Sequence, residues 1–157
     1  MRVLSMLSLS FALVAQVPDV GLTMDGGMLT VIYGQSCGPV TCTPFVGGAV
    51  AGGETRNLVH TSSPNTAFVI ALGLPGPCLR FPGIDNVLLL GAPITTVTVG
   101  TTGGPNPVSA CRQGAGRAQL MVPRGVPAGI VFRLQSFGAS ASSQGPAFSG
   151  AIEVRTV

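Results

Sequence analysis

The chain has 157 residues, of which 8% are charged, against about a quarter in an ordinary soluble domain; all eight basic residues are Arg, five residues are acidic, and the formal net charge is +3. Nucleic-acid binding needs clustered cations that displace counterions from phosphate, and here the arginines are scattered, with Arg112 and Arg117 the nearest approach to a cluster. Intrinsic disorder needs low hydrophobicity and high net charge; with 46% hydrophobic residues this chain has neither, so its 23 Gly and 13 Pro must sit in turns and strand ends.

In chain order, residues 1–15 read as a cleaved export signal: a positive start at Met1-Arg2, an apolar run from Val3 to Ala15 and a small residue at Ala15. As a helix, if retained, that run would span only about 20 Å against roughly 30 Å of bilayer hydrocarbon, and Ser5, Ser8 and Ser10 interrupt it. Cleavage is expected near Ala15–Gln16, with Leu13 a poor fit at the minus-three position. No Cys follows directly to take a lipid, and no later run is long and apolar enough to cross a bilayer. Residues 16–157 are then expected to form one domain, secreted or held at the cell surface, that meets a membrane only during export.

Beyond the signal, helical periodicity is nearly absent. Short runs rich in Val, Ile, Thr and Phe, separated by Gly, Pro and Asn, predict strands over Met28–Tyr33, Thr55–Thr61, Thr66–Leu72, Asn86–Leu90, Ile94–Val99, Arg117–Val122, Gly129–Phe137 and Phe148–Thr156. Three of them alternate: Ala118, Leu120 and Val122 oppose Arg117 and Gln119; Ile130, Phe132 and Leu134 oppose Arg133 and Gln135; Ile152 and Val154 oppose Glu153 and Arg155. Each reads as a half-buried antiparallel strand with one face in water. Phe68–Leu72 and Val87–Leu90 are apolar throughout, as for strands covered on both faces. About eight such strands predict an all-β fold, an antiparallel β-sandwich, with a closed barrel second. Thr61–Asn65 is expected to turn a hairpin, Gly100–Gly116 to be the longest loop, and Ser136–Ser149 to be a loop or an edge crossover.

Four cysteines, Cys37, Cys42, Cys78 and Cys111, form an even set, so two disulfides are expected in an exported chain. Three pairings satisfy that count. The favoured one joins Cys37 to Cys42 around Gly38-Pro39, and Cys78 to Cys111 across two Gly/Pro-rich loops. Zinc is the rival use for these residues, but Cys78 and Cys111 are isolated where zinc ligands usually come in close pairs.

Several stretches recur in a recognisable order: Tyr33-Gly-Gln-Ser-Cys37, Gly73-Leu-Pro-Gly-Pro-Cys78, Phe81-Pro-Gly-Ile-Asp-Asn-Val-Leu-Leu-Leu90, Val126-Pro-Ala-Gly-Ile-Val-Phe-Arg-Leu-Gln135 and Phe148-Ser-Gly-Ala151. From Leu29 to Val157 the chain resembles small, exported, Gly/Pro-rich β domains that occur in many copies in planctomycete-type bacteria. The resemblance implies an extracytoplasmic all-β domain of the kind often placed near the C-terminus of longer surface proteins. It implies no activity and carries over no functional residue. Cys42 departs from the usual pattern, which opens Cys37–Cys78 as another pairing.

Catalytic chemistry has little to work with. His60 is the only histidine, so a Ser–His–Asp arrangement would need it together with Asp85 and a serine; no Gly-x-Ser-x-Gly elbow is present, and His60 is expected to face a turn or solvent. Asp19, Asp25, Glu54, Asp85 and Glu153 are the only carboxylates for glycoside hydrolysis or for calcium, where Asp85, Asn86 and Asp25 would be the candidate ligands. Ordinary turn chemistry accounts for Asp85-Asn86 better. No cofactor is expected, since phosphate-cradling loops need a Lys or a helix N-terminus behind the glycines. Sugar-binding sandwiches commonly present aromatic platforms, whereas here Trp is absent, Tyr33 is the only Tyr, and the phenylalanines fall on expected core faces.

What remains is a surface with few charges. Thr95–Gly100 reads as a strand without the charged guards that sheet edges normally carry. The expectation is a non-enzymatic structural or adhesive module that self-associates or joins envelope components, with a polysaccharide- or calcium-binding module as the alternative.

Overall fold

The computed structural model describes residues 20–26, 31–105, 113–143 and 145–157. The export signal, Cys111, Arg112 and the start of the Met28–Tyr33 strand lie outside them. The described chain is all β, two sheets packed as a sandwich, with no helix.

Ten strands are described: β1 (Gly21–Asp25), β2 (Ile32–Gln35), β3 (Phe45–Val50), β4 (Thr55–Ser62), β5 (Ala67–Leu79), β6 (Leu88–Thr101), β7 (Gly114–Met121), β8 (Val131–Ala139), β9 (Pro146–Phe148) and β10 (Ile152–Thr156). The first sheet runs β2-β1-β4-β7; the second runs β3-β10-β8-β5-β6, with β9 paired to β8. Pairing between named strands is antiparallel except for β3 with β10, which is parallel.

The alternating strands behave as their patterns require. Leu22 and Met24 of β1, Leu58 of β4 and Leu120 of β7 meet Phe68 and Ile70 of β5, Phe132 and Leu134 of β8, and Ile152 and Val154 of β10 in one buried cluster. Every second residue of a strand turns away from this core, which leaves Arg117, Gln119 and Arg155 in water.

Four expectations are corrected. Asn86–Leu90 and Ile94–Val99 are not separate strands: β6 runs through Gly91–Pro93 with shifts of register against β5. A proline is tolerated there because β6 ends its sheet and Pro93 has no second neighbour to bond. Thr61–Asn65 does not turn a hairpin, because β4 and β5 belong to different sheets; the segment crosses the sandwich and is pinned by Thr66 Oγ1 and Thr102 Oγ1, both donating to the Ser63 carbonyl. Gln135 does not face water: it is 2% exposed, because Val87–Leu89 runs over the face of β8 opposite Leu134. The Ser136–Ser149 region is neither free loop nor crossover, since β9 pairs back onto the end of β8.

The preferred disulfide pairing is also overturned. Cys42 is bonded to Cys78, with Cα atoms 5.4 Å apart across 36 residues of sequence, which excludes both Cys37–Cys42 and Cys37–Cys78. Cys37 is itself disulfide-bonded. The preference for a short loop failed because the segment before β3 packs against the far end of β5, where Val40 and Cys78 join Val87, Leu89 and Ala151 in a second small apolar cluster.

Candidate functional site

His60 sits where β4 faces the second sheet, and it is fully enclosed, contrary to the expectation that it faces a turn or solvent. The reason lies in the strand period: Arg56, Leu58, His60 and Ser62 share the inner face of β4, and a histidine in that phase enters the core. Its ring stacks on Phe68 with centroids 4.6 Å apart, and Nδ1 lies 2.8 Å from Ser136 Oγ. Burial lowers its pKa from 6.5 to about 4, because the interior solvates an imidazolium poorly.

The structure thus assembles a serine–histidine pair that the sequence reading did not identify. Ser136 alternates in phase with Phe132 and Leu134, and that period was the available signal. At 2.8 Å the pair has the spacing of a nucleophile and its base. Substrate cannot reach it, since Ser136 is as buried as His60, and Asp85 is elsewhere, hydrogen-bonded through its backbone to Pro146 and Phe148. The arrangement serves the core.

The carboxylates are dispersed. Glu54 bonds Arg56 at 2.8 Å, and Glu153 bonds Arg133 at 2.9 Å. Asp25 accepts from Asn57 on the first sheet. Asp85 and Asn86 sit at the second, where Asn86 Nδ2 donates to the Phe148 carbonyl and Asn86 takes a φ of 69°. The candidate calcium ligands therefore do not converge, and Asp85-Asn86 acts as a turn. Asp19 lies outside the described residues.

Two surfaces remain. The first is the end of the second sheet. β6 has one neighbour, β5, and carries exposed Ile94 and Val99. Beside it, an apolar hollow of about 240 Å³ is lined by Val69, Ala71, Leu88, Leu90, Phe137 and Phe148. Phe81, Phe137 and Phe148 form a tilted cluster here, with centroids 6.2 and 5.1 Å apart, so not every phenylalanine went to the core between the sheets. Tyr33 does pack against that core. The second surface is the outer face of the first sheet, where Asn57, Val59, Arg117 and Gln119 line a shallow cavity of about 560 Å³.

No family model and no curated protein matches the chain. Solved structures are similar at low identity. One is a chitin binding domain from Burkholderia pseudomallei, at 13% identity and a TM-score of 0.40, covering 70% of this chain and 56% of that one. Another is the cellulose-active monooxygenase CelS2, solved in complex with copper, at 17% identity and a TM-score of 0.43, covering 77% of this chain and 55% of that one. A third is a cellulose-active polysaccharide monooxygenase from M. thermophila, at 12% and 0.38, covering 70% and 53%. This chain spans just over half the length of each. At such values no ligand or activity passes across.

Proposed function

We propose that this chain is a non-catalytic structural or adhesive module, secreted or at the cell surface, that joins like domains along the β6 edge. A disulfide-bonded sandwich suits an oxidising compartment. The observation that carries the reading is the contrast between β6 and the other sheet ends. β2 is only four residues long. β3 is interrupted where Gly47 and Gly48 face Val154 alone. β7 presents Arg117. Short strands, bulges and charges are the usual guards of an edge. β6 runs for 14 residues, and no charged residue lies between Asp85 and Arg112.

Pro93 and a bulge at Val97, the residue skipped between Thr96 and Thr98 in the pairing with β5, narrow the docking stretch. Thr98–Thr101 is left as the longest regular run, with the apolar hollow beside the strand to bury on contact. An antiparallel pair of such runs across a two-fold axis is self-complementary.

Sedimentation velocity over a wide concentration range tests this. The wild-type chain is expected to shift toward a dimer as concentration rises, and Val99→Lys to remain monomeric with an unchanged unfolding midpoint. A wild-type chain that stays monomeric at the highest concentration, or association untouched by Val99→Lys, would overturn the proposal.

A further inference from the structure

Across the outer face of the first sheet, three polar side chains from three strands form one hydrogen-bonded row. The Asn57 amide N–H donates to Asp25 Oδ1 at 3.1 Å, Asn57 Nδ2 donates to Asp25 Oδ2 at 2.5 Å, and Gln119 Nε2 donates to Asn57 Oδ1 at 3.3 Å. The next row contains Thr23, Val59 and Arg117, since Thr23 pairs with Val59 and Val59 with Arg117. Together β4 and β7 frame a shallow cavity of about 560 Å³ there, within the range of roughly 300–1,000 Å³ typical of ligand pockets.

Among the described residues Arg117 has no ion-pair partner. Among the described residues, Glu54 is paired with Arg56 and Glu153 with Arg133, while Asp85 lies at the other sheet. Asp25 stands two strands away from Arg117, about 10 Å by strand spacing, and is already bonded to Asn57. The guanidinium of Arg117 is therefore an exposed fork of donors lining an open cavity, with no described carboxylate bonded to it. Beside it the Gln119 and Asn57 amides keep unspent donor and acceptor positions. Val59, paired with Arg117 and on the same face, gives the cavity an apolar side chain.

We propose that this face binds an acidic polysaccharide through a uronate residue. Arg117 takes the sugar carboxylate as a bidentate pair, Gln119 and Asn57 take neighbouring hydroxyls, and Val59 lies under the C–H face of the ring. A four-stranded face is wide enough to accommodate a linear chain. A single cation among amides can meet one sugar carboxylate, whereas nucleic acid would call for several phosphate contacts. The site is on the opposite sheet from β6 and stands independently of edge association.

Affinity electrophoresis of the full chain tests it, with polygalacturonate, its fully methyl-esterified form or a neutral glucan cast in the gel. The wild-type chain is expected to be retarded by polygalacturonate alone, less so as salt rises. Arg117→Gln should weaken retention about tenfold or more, the usual scale for a charge-assisted contact, while Arg124→Gln leaves it unchanged. The Val99→Lys chain should be retarded like wild type, which keeps this test separate from association. No retardation of a folded wild-type chain, equal retardation by the methyl ester, or equal loss in Arg117→Gln and Arg124→Gln would overturn the proposal. So would stronger retention by single-stranded DNA.

Discussion

The imidazole of His60 lies flat on the ring of Phe68, with centroids 4.6 Å apart and planes 14° from parallel, and the contact joins the two sheets. His60 comes from β4 and Phe68 from β5, the strands on either side of the crossing at Ser63–Asn65. The stack occupies a slot of small residues: a Cβ on Gly138 would lie 2.8 Å from His60 Nε2, and one on Gly100 would lie 2.9 Å from the Phe68 ring. A polar ring is tolerated in this core because it is neutral, stacked and in contact with Ser136.

That neutrality makes stability depend on pH. The folded His60 has a pKa of about 4 against 6.5 unfolded. Above pH 6.5 neither state holds the proton. Between 6.5 and 4 the unfolded chain binds it and the folded chain does not, so stability falls as pH drops, and below about 4 the loss levels off. The full span corresponds to about 3 kcal/mol. Urea unfolding midpoints are expected to decline from pH 7 to pH 4.5, and His60→Gln should flatten that slope. An equally steep slope in the variant would place the titrating group elsewhere.

Gln135 is the other polar side chain on which the packing turns. Its Oε1 accepts from Leu89 N at 2.9 Å, and its Nε2 donates to the carbonyls of Val87 at 2.7 Å and Ser149 at 2.8 Å. Removing it strands three buried backbone groups, each costing about 1–3 kcal/mol. Gln135→Leu, close in volume, is expected to lose about 3 kcal/mol or more. The Leu89 amide should then exchange its hydrogen faster than the core amides of β8. Undiminished protection at Leu89 would contradict this role.

The sequence exposed the two-sheet plan through particular residues. Ala118, Leu120 and Val122, and likewise Ile152 and Val154, alternate with charged or amide neighbours, and a period of two needs no tertiary information to interpret. β1 and β3 escaped notice because Leu22-Thr-Met24 is too short a run and Val46-Gly-Gly-Ala49 looks like a turn; only pairing with β4 and β10 makes strands of them. Gln135 was misplaced because the segment covering it, Val87–Leu89, is distant in sequence. The site residues fared worse. His60 stood out as the single imidazole, yet its phase with Leu58 was outweighed by its polarity. The row of Asp25, Asn57 and Gln119 exists only through the order β1-β4-β7, which no local pattern encodes.

The Cys42–Cys78 bond ties the segment before β3 to the far end of β5 and closes a loop of 36 residues. In the chain-entropy model a closure of that length contributes about 4 kcal/mol by restricting the unfolded chain. The double variant Cys42→Ser with Cys78→Ser is expected to lose roughly that much. Its denaturant dependence should steepen as the unfolded chain expands. An unchanged slope and midpoint would mean that these two cysteines are not joined in solution.

Gly116 faces His60 directly in the β4–β7 pairing, and a methyl group there would run into the edge of the Phe68 ring. Its φ is not in the left-handed region, so Gly116→Ala introduces no backbone strain and its cost is steric. Phe68 cannot move aside easily, because Gly100 closes on the same ring from β6 and His60 stacks on its face. Overpacking of this kind costs about 1–3 kcal/mol. Gly104→Ala, where the added methyl meets nothing within 4 Å, should leave stability unchanged or raise it by about 0.5 kcal/mol through the unfolded chain. A double-mutant cycle assigns the cause: with Phe68→Leu in place, the penalty of Gly116→Ala should shrink by more than half, since the atoms it strikes are gone. If the penalty persists in full, the aromatic slot is not what fixes glycine at this position.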